Sequence, residues 1–168
     1  MTNTIVESLL GAFEALGSIK FGKEILVFII SILPILELRG GLIAASLLGL
    51  KPIPSYIISM IGNMLPVPFI LLFISSILDW MRRSKHFKKF ANFLDKKVEK
   101  NKKSIEKYGY WGLVIFVGIP LPGTGAWTGC LIASVLGLDK KKAFWATFLG
   151  VFMASIIMMF ISFGLLKL

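Results

Sequence analysis

A chain of 168 residues that is 56% hydrophobic and only 17% charged lies far from the soluble average of about 25% charged residues. Its net charge of +10 is gathered mostly in one segment beside apolar runs, which reads as membrane topology and anionic-lipid contact and excludes a nucleic-acid surface. One cysteine, Cys130, and one histidine, His86, exclude an intramolecular disulfide framework and a Cys/His metal cluster. No metal, no cofactor and no nucleophile–base pair is expected, so the chain does not read as an enzyme.

Four runs carry the apolar content: Ile25–Leu50, Ile53–Leu78, Tyr108–Leu138 and Ala143–Leu166. Each exceeds the ~20 residues that cross a bilayer as a helix. An integral, multi-pass membrane protein of a single all-α domain is expected. The first positive residue, Lys20, follows the early apolar positions, unlike the charged start of a cleavable signal.

In chain order, residues 1–22 place Ile5, Val6, Leu9, Leu10, Phe13 and Leu16 at helical spacing, which predicts an amphipathic helix. Repeat 1 follows over 24–78. Its first run is interrupted by Pro34, which disfavours helix at Leu33, and by Gly40–Gly41, so two half-length helices meeting at Pro34–Gly41 are expected. Lys51–Pro54 is a polar turn, and Ser55–Leu78 is a full span kinked at Pro66 and Pro68. The segment 79–107 holds Arg82, Arg83, Lys85, Lys88, Lys89, Lys96, Lys97, Lys100, Lys102, Lys103 and Lys107. With Phe87, Phe90, Leu94, Val98 and Ile105 interleaved, this predicts a basic amphipathic helix on the cytoplasmic leaflet; a solvated positive-inside loop accounts for the charge equally well.

Repeat 2 covers 108–168 and rewrites the first. Shifted by 88 positions, Leu33, Pro34, Gly41, Ala45, Ser46, Leu48, Gly49 and Leu50 recur in the second run, and Gly62 falls on Gly150. Pro122, Gly123, Gly125 and Gly129 mark the second break. Glu37 faces Gly125 in this alignment, and Arg39 faces Trp127.

Charge bias does not decide the topology. Re-entrant hairpins give one crossing per repeat and an inverted pair; full crossings give four spans and parallel repeats. Either way fourteen positive residues lie inside, the eleven above joined by Lys140, Lys141 and Lys142 in the first case and by Lys20, Lys23 and Lys167 in the second. The breaks favour the hairpins, because irregular backbone at membrane depth survives where it lines a protected cavity, and broken helices in paired repeats are a recurrent transporter design.

A half-helix beginning inside the membrane presents unsatisfied N–H groups and a partial positive charge. The expected N-termini at Gly40–Gly41 and at Gly123, Thr124 and Gly125 therefore form candidate anion sites, with Thr124 and Thr128 as hydroxyl donors and Arg39 as a planar cationic fork. Glu37 is the candidate proton-exchange carboxylate; the competing reading has Glu37 and Arg39 neutralising each other and fastening the tip. Trp127 and Asn63 are secondary candidates, read equally as packing or interhelical bonding. Pro34, Pro122 and Gly129 are expected to shape the tips, and Gly49 and Gly137 to end helices.

The motifs Glu-Leu-Arg-Gly-Gly at 37–41 and Pro-Leu-Pro-Gly-Thr-Gly-Ala-Trp-Thr-Gly at 120–129 resemble the small multidrug export family of prokaryotic membrane proteins, and more distantly the DedA-type (VTT) superfamily. The resemblance covers most of the chain from about residue 25. It implies facing re-entrant hairpins and movement of lipids or polyprenyl-phosphate carriers, with Glu37, Arg39 and Pro122–Gly125 in the hairpin roles. The second hairpin departs from the DedA pattern in having no charged residue. The leading expectation is a transporter of anionic lipid head groups or lipid-phosphate carriers, with proton coupling and a homodimer as further expectations. Proton-coupled efflux of small hydrophobic cations and a non-transport membrane scaffold are the alternatives.

Overall fold

The computed structural model describes residues 21–83, 88–121 and 123–165. Most of the expected N-terminal amphipathic helix, together with His86 and Pro122, lies outside the described residues. Those described are helical, with no strand among them: α1 (Gly22–Ile32), α2 (Glu37–Leu47), α3 (Pro52–Met64), α4 (Pro66–Arg83), α5 (Lys88–Gly118), α6 (Ala126–Val135) and α7 (Lys140–Met159), which runs on into a π-helical turn at Phe160–Leu165.

The first apolar run folds as two helices of 11 residues each, about 16 Å apiece and well short of the ~30 Å hydrocarbon core. They form an antiparallel hairpin. The Lys23 ammonium, at the start of α1, donates to the Leu48 carbonyl beyond the end of α2 at 3.2 Å, so both outer ends lie together. The turn differs from expectation in one respect. The chain reverses over Leu33–Leu36 and α2 starts at Glu37, so Gly40–Gly41 sit inside the helix, with the Gly40 N–H bonded to the Leu36 carbonyl. Pro34 alone is enough to end α1. The glycines serve close packing instead: a Cβ on Gly41 would overlap the Ser31 hydroxyl and press on that of Ser59.

Two stretches are long and apolar enough to cross a membrane, Pro52–Ile74 with 23 residues and Lys140–Gly164 with 25. The prolines act where expected. Leu65 keeps helical angles (φ −55, ψ −47) and its N–H still bonds the Ile61 carbonyl at 2.9 Å; the ladder loses a donor at Pro66, which has no N–H. Pro52 opens α3, a position where its missing N–H costs nothing. Lys140–Lys142 form the first turn of α7, which the Asp139 carboxylate caps by accepting from the Lys142 N–H at 2.9 Å. The basic segment is helical from Lys88 onward and breaks at Gly109 (φ 53, ψ −123), where repeat 2 was expected to start.

The 88-residue repeat is written in the backbone. Gly49 and Gly137 have φ of 71 and 67 and close matching helix ends: Leu50 N–H donates to Ala45 at 3.0 Å, and Leu138 N–H to Ala133 at 2.9 Å. This is the Schellman arrangement that a left-handed C′ glycine permits. Gly62 lets α3 approach the backbone of α1 at Phe28, and Gly150 lets α7 approach that of α5 at Val114. Leu38, Leu42, Val67, Leu113, Val117 and Ile132 from both repeats share one core.

Polarity is reversed on α3. Ile53, Ile57 and Ile61 are 50–72% exposed, whereas Ser55, Ser59 and Asn63 are at most 2% exposed. A helix with isoleucine outside and polar groups inside suits a lipid surround. Between such helices the drive is packing, so glycine contacts matter most. Gly150→Val places branched carbon against Val117 and the Val114 carbonyl and should lower stability in detergent by about 2–3 kcal/mol. Gly137→Ala meets no neighbour and should lose only about 1 kcal/mol through its backbone angle. Thermal unfolding of both variants checks the order.

Candidate functional site

The two hairpin tips meet, and Glu37 is the joint. Its side chain is 5% exposed. It accepts from the backbone N–H groups of Ala126 at 3.2 Å and Trp127 at 3.1 Å, the first two residues of α6. A lone buried carboxylate is costly. Here two charge-assisted bonds and the positive end of a helix offset that cost. The anion site expected at the second tip is thus filled by the protein's own carboxylate. Glu37 holds φ 53, the one non-glycine residue among those described in that region, a strain of about 1–2 kcal/mol that the bonds to α6 hold in place.

Arg39 reaches the same way. It donates to the carbonyls of Leu121 and Ile119, the latter at 3.2 Å, and to the Thr124 hydroxyl oxygen at 3.1 Å. These contacts use three of the five guanidinium N–H groups. Both residues thus fasten across to the other hairpin, and the Glu37 charge also acts on Arg39 within their own. Thr124 turns its own hydroxyl to Ile119 and Leu121, 2.8 Å from each carbonyl, so the expected donor to a ligand is spent on its loop.

Trp127, at Arg39's position in the repeat, returns the contact. Its indole N–H donates to the Ile32 carbonyl at the end of α1 at 3.0 Å. Residue 32 shifted by 88 is 120, midway between the two carbonyls that Arg39 takes. Gly125, at Glu37's position in the repeat, lies directly against it, and a Cβ there would overlap the Glu37 carboxylate. Where equivalent positions touch, only one can carry a side chain. Glu37 requires Gly125.

Between the tips lies a cavity of about 400 Å³. Pro34, Ile35, Leu36, Ile43 and Met158 give it an apolar wall; Glu37, Arg39, Gly40, Gly123, Thr124 and Thr128 supply its polar part. Asn63 does not line this cavity but shares with Glu37 and Arg39 a second void of about 10 Å³. The site thus gathers Glu37, Arg39, Gly40, Gly123, Gly125, Thr124, Trp127, Thr128 and, through that second void, Asn63. Gly41 faces Ser31 and Ser59 instead, and Gly129 packs against Val117. The carbonyls of Ile32, Ile119 and Leu121 are functional partners that side-chain reading does not name. Cys130 is buried beside Thr147, with Sγ and Oγ1 3.5 Å apart, in a packing role.

Residues 37–157 match the family described as "Putative small multi-drug export protein". The chain belongs to that family. The matched stretch runs from Glu37 in α2 through most of α7, so it begins just after the Leu33–Leu36 turn and takes in Glu37, Arg39 and the whole second tip. The family and the two long apolar helices make this a membrane protein, named with small export proteins. Comparison with curated proteins and with solved structures returns no match.

The joint yields a quantitative expectation. Glu37→Ala should lower stability by about 2–4 kcal/mol, since it orphans two buried N–H groups. Gly125→Ala should be comparably harmful alone, yet in the Glu37→Ala background most of its clash is gone. A double-mutant cycle by denaturation in detergent should return a coupling of about 1 kcal/mol or more.

Proposed function

We propose that this family member moves amphiphilic molecules with an anionic head group across the bilayer, using the cavity between the tips. The observation that carries the reading is the composition of that cavity: an apolar wall for hydrocarbon beside a permanently charged fork. Two Arg39 N–H groups lie outside the contacts made to the loop, and such a fork suits phosphate or carboxylate. Thr128 adds a hydroxyl at the same rim.

In this reading each hairpin is re-entrant and the repeats are inverted. The antiparallel hairpin of about 16 Å helices and the reciprocal Arg39 and Trp127 contacts support it, because mutual contacts of this kind are what a two-fold relation produces. Broken helices meeting at mid-depth then line the site, as in other repeat-built transporters. The two long stretches cross once each, with the basic helix on the cytoplasmic side, and the DedA-type likeness of the tips points the same way. Alternating exposure follows from making and breaking the cross-tip bonds on one side and the other.

A second reading, efflux of small hydrophobic cations, is favoured by the family's description. Against it stands Glu37, whose carboxylate is already bonded to α6.

Phosphatidylcholine vesicles containing the full chain and a trace of tail-labelled phosphatidylglycerol test the proposal. Transbilayer movement of that label should exceed the protein-free rate about tenfold or more, with labelled phosphatidylcholine slower. Arg39→Ala should return it to background, a loss on the scale of one or two charge-assisted bonds, while the variant still elutes as a folded species. Movement that ignores Arg39, or competition by a quaternary ammonium abolished in Glu37→Gln, would favour the cation reading. Single cysteines at Lys51 and Lys141 in a Cys130→Ser chain should label from opposite sides.

A further inference from the structure

One helix carries polar groups that packing does not explain. Ser55, Ser59 and Asn63 recur every four residues on the inner face of α3, all at most 2% exposed. Ser55 is accounted for, since its hydroxyl donates to the Lys51 carbonyl at 2.8 Å. The Ser59 hydroxyl and the Asn63 side-chain oxygen are buried with no partner, as are the hydroxyls of Ser134 and Ser162 on other elements. An orphaned buried oxygen is expensive unless it serves something, and two in one file is a pattern.

The file has two distinct ends. At its outer end Lys51, Ser55 and Glu24 line a cavity of about 270 Å³ at the base of the first hairpin. At its inner end Asn63 shares with Glu37 the void of about 10 Å³, the size of a single water. At 1.5 Å per residue, Ser55 to Asn63 spans about 12 Å. The second repeat has Ala143, Thr147 and Val151 at the matching positions, and Thr147 is occupied by Cys130. So the polar file exists only in the repeat that owns the carboxylate.

The chemistry of Glu37 gives the orphans a use. As a carboxylate it only accepts hydrogen bonds; once protonated it carries an O–H that must find an acceptor. We propose that α3 is a proton route: water relayed past Ser59 delivers a proton from the Lys51 end, and Asn63 accepts the O–H of protonated Glu37, directly or through one water. The proton adds to a carboxylate oxygen, and the hydronium that brought it returns to water. The neutral acid then holds the N-terminus of α6 by ordinary rather than charge-assisted bonds, about half as strong, which loosens the joint between the tips. The route's sidedness and its link to transport rest on the function proposed above; the Glu37–Asn63 pairing does not.

Other ionisable groups around Glu37 are accounted for. Arg39 on its own helix and the Cys130 thiol on α6 are within electrostatic reach. Of the helices packed beside it, α1 and α7 carry Lys23, Glu24, Lys140, Lys141 and Lys142 in their first turns, and α3 carries Tyr56, whose hydroxyl accepts from Ser155.

The test uses the full chain in phosphatidylcholine–phosphatidylglycerol nanodiscs, following the infrared carbonyl band of protonated carboxyl groups against pH. Glu37→Gln should remove one titrating band and so assign it. Asn63→Leu removes the acceptor of the neutral form, so the Glu37 midpoint should fall by about one pH unit, a tenfold change, with Asn63→Thr restoring part of it. Ser59→Ala, which deletes a single oxygen, should keep the midpoint but slow protonation about tenfold after a pH jump applied from the Lys51 side of vesicles. Unchanged midpoints and rates in these variants, or no Glu37 band at any pH, overturn the route. If the band behaves as described while labelled phosphatidylglycerol does not move, the transport reading falls and the proton site stands.

Discussion

The two bonds from the Glu37 carboxylate to the N-terminus of α6 are the constraint on which the rest of this structure depends. They offset the burial of a charge, hold a non-glycine residue in a left-handed conformation and bring two hairpin tips to one point. None of those features is stable alone. Remove the carboxylate and the N–H groups of Ala126 and Trp127 face apolar surroundings; remove the helix end and a carboxylate is stranded there. The joint explains why Glu37 has no side-chain counterpart in the second repeat. Equivalent positions meet at it, so a side chain on one demands glycine on the other.

That joint also orders the cavity. Arg39 is held by loop carbonyls of the opposite hairpin, so its fork is aimed by backbone rather than by flexible side chains. Such positioning lowers the entropy lost on binding an anion. Trp127 performs the reciprocal fastening without charge, and the cavity therefore has one cationic end and one apolar wall. An amphiphile meets both requirements at once.

Much of the architecture was legible in the sequence, for identifiable reasons. Proline and glycine constrain the backbone directly, so Pro34, Gly49 and Gly137 fell where their chemistry put them. The 88-residue offset alone pairs Glu37 with Gly125 and Arg39 with Trp127. Other parts were hidden. Gly40–Gly41 looked like a hinge because glycine permits both freedom and close approach, and only the positions of Ser31 and Ser59 distinguish the two. Helix N-terminal N–H groups at the second tip suggest an anion site from the sequence alone. That the anion is Glu37, 89 residues earlier, is a tertiary fact with no local signature. The carbonyls that Arg39 and Trp127 use belong to the backbone, which every residue carries alike.

The Ser55–Ser59–Asn63 file was not legible in the sequence: only Asn63 stands out there, and interhelical bonding explains it equally well. Orphaned oxygens remove that explanation. A helix whose isoleucines face outward and whose polar atoms face inward has spent its lipid-facing side on solubility in the bilayer and kept its inner side for something else. Packing alone would prefer alanine and valine at positions 59 and 63, and the second repeat places threonine and valine there. The two repeats therefore share a scaffold and divide the chemistry: one supplies a carboxylate, an arginine and a polar file, and the other supplies the helix end and the carbonyls that receive them.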